Sequence, residues 1–150
     1  MSESSELLKI LVVNGPNLNM LGKREPELYG SETLEDINTR LKTFGEKLNI
    51  QIETFQSNHE GEIVTKIQNA MGNYNGLIIN PAAYTHTSVA IRDAILLLDF
   101  PVIEVHLSNI YKREDFRHKS YISAVASGQI AGLGVQGYEL AITAIKNMQK

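Results

Sequence analysis

Short, uninterrupted apolar runs alternate along the chain with segments of helical periodicity, and that alternation limits the available folds more than any other feature. Leu7 to Val13 is apolar except at Lys9, the pattern of a strand buried on both faces. Leu34, Ile37, Leu41, Phe44 and Leu48 then recur at spacings of three and four, which is one helical face. Thr33 and Asp36 stand before it in capping-box positions. Ile50 to Phe55 alternates more weakly and reads as an edge strand. Ile63, Ile67, Ala70 and Met71 give a second amphipathic helix that ends near Gly72. Leu77 to Ile79 is a third strand, and Thr87 or Ser88 can cap a helix carrying Val89, Ile91, Ala94, Ile95 and Leu98. Pro101 to Val105 and the glycine-rich Ile130 to Val135 supply two more strands. Tyr138, Ile142, Ile145 and Met148 mark a last helix.

Strands that take turns with helices imply a parallel sheet, right-handed crossovers and helices on both faces. The commonest five-stranded arrangement is the α/β flavodoxin-like three-layer fold, strand order 2-1-3-4-5. Residues 1–150 are read as one domain, without repeat, low-complexity segment or linker. In that order the first, third and fourth strands lie side by side, and the gap between the first and third is the topological switch point. All three run into polar segments. The first is Asn14-Gly15-Pro16-Asn17, continuing to Arg24-Glu25-Pro26 and Tyr29-Gly30. The second runs from Asn80-Pro81 through Tyr84-Thr85-His86 to Ser88, and the third is Glu104-Val105-His106-Leu107-Ser108-Asn109. Ligands of open α/β sheets bind just outside the carboxyl ends of the strands, so the three segments are expected to share one pocket.

Composition removes several classes. A formal charge of −3 and the lack of a basic run argue against nucleic acid as a partner. No apolar stretch reaches the roughly 18 residues of a membrane span. The acidic, polar opening Met1-Ser2-Glu3-Ser4-Ser5-Glu6 does not have the pattern of a signal peptide. Zero cysteines rule out disulfides and thiolate nucleophiles and suit a cytoplasmic location.

Inside the expected crevice, Asn14, Asn17 and Asn80 converge at strand ends and are read as ligand contacts rather than turn residues alone. The segment from Gly15 to Ser31 is long for a βα connection, which runs about 2–6 residues, and reads as a lid carrying Lys23, Arg24, Glu25 and Tyr29. Glu104 and His106 are two apart on a strand and share a face. A carboxylate beside an imidazole fixes its tautomer and favours its protonated form, which is how a general acid near neutral pH is built. His86 is placed to meet a hydroxyl, whereas His59 and His118 sit in polar surroundings and read as surface residues. No histidine pair has metal-motif spacing, and no glycine-rich phosphate loop follows the first strand, so neither metal nor nucleotide cofactor is expected.

The strings NGPNLNMLGKREPELYG, NPAAYTHTSVAIRD, EVHLSNIYKREDFRHKSY and GLGVQGYELA resemble type II 3-dehydroquinate dehydratase, in order and at matching spacing, from about Lys9 to the last helix. Met20 stands where that family commonly has Leu, Ala82 where Gly is common, and Tyr111-Lys112 where His-Ala is frequent. None of these removes a functional position.

The resemblance implies a flavodoxin-like domain assembled as a homododecamer of four trimers. It also implies reversible anti loss of water from 3-dehydroquinate to give 3-dehydroshikimate, through an enolate and without imine, metal or cofactor. The step belongs to the shikimate pathway or to quinate breakdown. Tyr29 matches the family's base, and a phenol with an ordinary pKa of about 10 needs nearby cations to work there. Arg24 matches the lid arginine that supplies one, and Arg113 is a second candidate. Asn17 matches the group that stabilises the enolate through a water. His106, oriented by Glu104, matches the proton donor. The substrate carboxylate is expected at Asn80 and the backbone N–H groups of Leu107 and Ser108, and ring hydroxyls at His86 and Arg117. Asp93 matches a position that reaches substrate from a neighbouring subunit.

Two other classes share the expected sheet. A receiver-like signalling module wants acidic residues after the first strand, where Asn14 and Asn17 stand. A flavin carrier wants a Ser/Thr-rich phosphate loop, where this chain has proline, arginine and tyrosine. A different carbon–oxygen lyase acting on a similar cyclic acid is the nearest enzymatic rival. Imine chemistry needs a desolvated lysine. The lysines near the expected site, Lys23 and Lys112, are flanked by charged residues on loops and are expected to be water-exposed.

Overall fold

The computed structural model describes residues 7–23 and 31–149. Five strands form one all-parallel sheet: β1 (Leu8–Asn14), β2 (Ile50–Gln56), β3 (Gly76–Asn80), β4 (Val102–His106) and β5 (Gly128–Ala131). Their order is β2-β1-β3-β4-β5, as expected, with β2 at one edge. Among the described residues four α-helices cover the sheet: α1 (Leu34–Lys47), α2 (Glu60–Ala70), α3 (Val89–Ile95) and α4 (Gln136–Met148).

The unbroken apolar run of β1 is explained by two cores. Ile10 and Val12 point to the side packed by α1 and α4, with Ile37, Leu41, Tyr138, Ile142 and Ile145. Leu11 and Val13 point to the side packed by α2 and α3, with Ile63, Ile67, Ile91 and Ile95. Each fully buried Ile or Leu here contributes about 1.5–3 kcal/mol, so a strand apolar on one face only would leave one helical layer without a partner. The Thr33–Asp36 capping box closes at both hydrogen bonds, each 3.1 Å. Ser88 is the residue that caps α3, accepting from the Ile91 amide at 2.9 Å.

Two elements depart from the expectation. The helix carrying Val89 to Leu98 stops at Ile95, and Leu96 to Leu98 follow as tight turns (Leu97 N–H to Ala94 O 3.1 Å, Leu98 N–H to Ile95 O 3.0 Å). Pro101 lies beyond these turns and keeps only its immediate neighbour, Phe100, out of helical backbone. The fifth strand runs Gly128–Ala131 rather than Ile130 to Val135. Gly132 and Gly134 adopt φ of 87° and 65°, left-handed values that end the strand. Their amides bind the carbonyls of His106 (3.2 Å) and Leu107 (3.0 Å), so the glycines tie down the chain leaving β4.

Candidate active site

Asn14, Asn80 and His106 are the last residues of β1, β3 and β4, so the three polar segments begin together at one end of the sheet. Gly15 lets the first two segments approach: a Cβ there would lie 2.4 Å from the Pro81 carbonyl oxygen. A cleft opens above them, lined by Pro16, Asn17, Leu18, Met20, Leu21, Asn80, Ala82, Ala83, His86, His106, Leu107, Ser108, Ile110, Arg113 and Arg117. Eight of the thirteen sequence-nominated residues therefore meet at one place. Glu104 lies directly behind His106. Asp93 is exposed on α3 beside Arg92 (3.4 Å) and is not among the lining residues of this single chain. Arg24 and Tyr29 fall outside the described residues.

His106 is buried at 6% exposure, and its Nε2 lies 2.5 Å from Glu104 Oε2. The expected i, i+2 pairing on one strand face is thus present. With Nε2 held by the carboxylate, Nδ1 is the nitrogen left for the cleft. Glu104 is wholly buried and is surrounded by hydroxyls. Thr85 donates to Oε2 at 2.5 Å, Ser120 to Oε2 at 2.9 Å, and Ser123 to Oε1 at 2.7 Å. Burial alone pushes the Glu104 carboxyl up, but the His106 contact and the Thr85 and Ser123 hydroxyls outweigh it. They hold the group below its ordinary value, so it stays ionised.

His86 directs Nδ1 at the Lys119 carbonyl (2.7 Å), a contact that only an N–H can make favourably, and this leaves Nε2 as an acceptor. Burial depresses its pKa, and the neighbouring His106 and Arg117 depress it further, against the Lys119 carbonyl that raises it. A neutral His86 can receive a hydroxyl proton. Arg117 lines the cleft with Nε bound to Glu114 at 2.7 Å. The Arg113 carbonyl is 3.0 Å from His118 Nε2, so His118 is half-buried and braces this loop instead of standing free on the surface.

The three asparagines part company. Asn17 has φ 71°, a turn conformation, yet its side chain makes no cap hydrogen bond and the residue lines the cleft. Its N–H is held by Asn58 Oδ1 at 3.0 Å. Asn80 lines the cleft while its Oδ1 accepts the Ala82 amide (3.1 Å) and its Nδ2 donates to the Tyr138 hydroxyl (3.1 Å). Asn14 is corrected: it is not a cleft residue but lies beneath, where its Oδ1 accepts the Tyr138 hydroxyl at 2.5 Å. Burial raises the pKa of that phenol well above its usual value, so it remains a neutral donor. Thr85, Ser120, Ser123 and Asn58 went unnominated by the sequence reading. A carboxylate on an otherwise apolar strand demands donors, and the hydroxyls of the Thr85-His86 and Ser120–Ser123 segments were the visible supply.

The topology and cleft are those of a flavodoxin-like α/β protein whose ligand crevice lies at the switch point of its sheet. Residues 8–146 match the family model described as dehydroquinase class II. The 3-dehydroquinate dehydratase of Acaryochloris marina is 59% identical over 136 residues, covering 91% of each chain. The catabolic 3-dehydroquinase of Aspergillus oryzae is 57% identical over 133 residues, 89% of this chain and 87% of that one. The crystal structure of type II dehydroquinase from Butyrivibrio crossotus superposes with a TM-score of 0.91 at 48% identity, over 93% of this chain and 98% of that one. This chain belongs to the class II dehydroquinase family.

Proposed function

We propose that the protein catalyses the reversible anti-dehydration of 3-dehydroquinate to 3-dehydroshikimate through an enolate, without a Schiff base. The observation that carries the reading is the buried Glu104–His106 pair at the end of β4, with one imidazole nitrogen held by a carboxylate and the other left for the cleft. In the proposed mechanism Tyr29 removes the proton α to the ketone, and Arg24, with Arg113 as a second cation, stabilises the tyrosinate. Asn17 holds the water that meets the enolate oxygen. His106 then protonates the departing hydroxyl. Asn80 and the N–H groups of Leu107 and Ser108 receive the carboxylate, while His86 and Arg117 hold ring hydroxyls. Asp93 acts from a neighbouring subunit of a homododecamer built from four trimers, in the cytoplasm. The neutral, acceptor-bearing state of His86 supports its part, because a ring hydroxyl is a donor. Among the described residues no helix is long and apolar enough to cross a membrane.

The direct test is an ultraviolet assay for the conjugated enone product. A steady rise in absorbance from 3-dehydroquinate supports the reading, and none from folded, assembled protein refutes it. Borohydride during turnover separates this mechanism from imine chemistry. Lys23 and Lys112 are exposed and absent from the cleft lining, so no reduced substrate–lysine adduct is expected by mass spectrometry.

A further inference from the structure

The β4 strand alternates between the two cores until Glu104, whose side chain takes a position that β1 and β3 give to an aliphatic residue. A wholly buried carboxylate is costly unless its lone pairs are met, and here four donors converge on two oxygens, with the Ser120 hydroxyl within reach of both. Only one of the four comes from the imidazole. The rest come from hydroxyls on two segments remote in sequence: the turn at Ala82–His86, which carries Thr85, and the loop between β4 and β5, which carries Ser120 and Ser123.

That loop is itself held in place for the task. Ser120 Oγ accepts the amides of Ile122 (3.0 Å) and Ser123 (3.1 Å), so its one proton points into the cluster, where Thr85 Oγ1 (2.7 Å) and the carboxylate share it. The Tyr121 amide donates to the Thr85 carbonyl at 2.8 Å, locking the loop to the turn. Gln129 Nε2 donates to Ser123 Oγ at 2.8 Å, so the Ser123 proton also turns inward. Backbone amides thus take the acceptor side of the Ser120 hydroxyl and the Gln129 amide that of Ser123, which turns both protons toward the Glu104 cluster.

We propose that Thr85, Ser120 and Ser123 are positioning residues of the reaction: their hydroxyls clamp the Glu104 carboxylate and through it fix His106 with Nδ1 toward the substrate. This rests on the dehydratase reading above. The clamp also sets where the proton resides. With a neutral imidazole the pair carries one net negative charge, and with a protonated imidazole it carries none. Hydroxyl donors stabilise the negative state more, so deleting one makes the pair hold its proton to higher pH. The retained proton also shifts toward the carboxylate, and Nδ1 becomes a weaker acid. The charged and titratable groups facing the pair among the described residues are His86 on the turn and Arg113 and Arg117 on the loop after β4. On the adjoining strands Ile79 and Gln129 stand opposite Glu104, and both are uncharged.

The test uses Thr85→Val, Ser123→Ala and the conservative Thr85→Ser in the assembled enzyme. Thr85→Val and Ser123→Ala should each lower kcat about tenfold with KM little changed, the scale of one hydrogen bond to a charged group. The alkaline limb of the kcat–pH profile should rise by roughly one pH unit, and Thr85→Ser should restore both. A second readout needs no turnover: the rate of carbethoxylation at His106 against pH, followed by mass spectrometry, should show the same upward midpoint shift. Failure of the parent enzyme to dehydrate 3-dehydroquinate would sink the functional reading, while the carbethoxylation midpoint would still judge the clamp. Should Thr85→Val not fold, Ser123→Ala, at a partly exposed position, decides alone. Unmoved limbs and midpoints in folded variants overturn the proposal, because a merely structural role would leave them where they are.

Discussion

Two buried polar clusters lie under the same cleft and treat their polarity in opposite ways. On the α2/α3 side, Glu104 is ionised, and hydroxyls and an imidazole crowd its oxygens. On the α4 side, Asn14, Tyr138 and Asn80 form a neutral chain in which a phenol bridges two amides. The first can exchange a proton with the cleft through His106, whereas the second holds β1, β3 and α4 in register and has no group that titrates near neutrality. A buried charge survives where many donors meet it, and a buried neutral chain survives where each proton has one acceptor. The Asn14 Nδ2, which has no hydrogen-bond partner among the described residues, shows that the neutral chain is the less completely satisfied of the two.

The sharpest way to break the comparison is to delete His106, the proposed proton donor. His106→Ala should lower kcat about 10²–10⁴-fold, the contribution of a general acid, as should Tyr29→Phe for the base. Circular dichroism should show both folded, and near-parent turnover in either would refute that assignment. Glu104→Gln should cost about 10- to 100-fold in kcat, because an amide brings its own N–H into a cluster already full of donors. A mutant as active as the parent would mean the charge is idle.

The neutral cluster should answer in stability instead. Tyr138→Phe leaves Asn14 Oδ1 and Asn80 Nδ2 without their partner and should destabilise by about 1–3 kcal/mol. Urea titration measures this, and any loss of activity should lie in KM through Asn80. A kcat loss as large as that of Glu104→Gln would erase the distinction between the two clusters.

Acid should separate the clusters as well. Glu104 has a folded-state pKa below its ordinary 4.5, so its stabilising contribution is complete above that value and is lost as pH falls through the folded pKa. The urea midpoint of the parent should decline below pH 4.5, and more shallowly in Glu104→Gln. Equal slopes would assign the acid sensitivity to other carboxylates. The smallest effect is expected at Ala82, which sits at φ 54° in the turn that delivers Thr85. Left-handed backbone costs a non-glycine residue about 1–2 kcal/mol, partly offset by glycine's freedom when unfolded. Ala82→Gly should therefore raise stability by up to about 1 kcal/mol, read as a shift in urea midpoint.

Strand order, both helical faces and the gathering of polar residues at one end were legible because each is written in local pattern. The unbroken Leu7 to Val13 run demands two apolar layers, and Asn14, Asn80 and His106 each stand where such a run stops. The pairing of Glu104 with His106 was legible too, since residues two apart on a strand share a face. The end of β5 was misjudged because two glycines carry no side chain to betray their φ, and the chain reads as apolar through them.

What the sequence by itself determined is therefore the sheet, the end of it where the polar segments gather, and the strand that carries the Glu104–His106 pair. Tertiary structure decided which asparagine faces the cleft and which lies beneath it. Asn14 and Asn80 are equivalent in sequence, each ending an apolar strand, yet Tyr138, 124 residues from Asn14, bonds both and takes only Asn14 out of the cleft. It likewise decided that Thr85, Ser120 and Ser123 meet on one carboxylate. Contacts between residues 16 to 124 positions apart depend on how two layers of helices and loops close over a sheet, and no local periodicity encodes that closure.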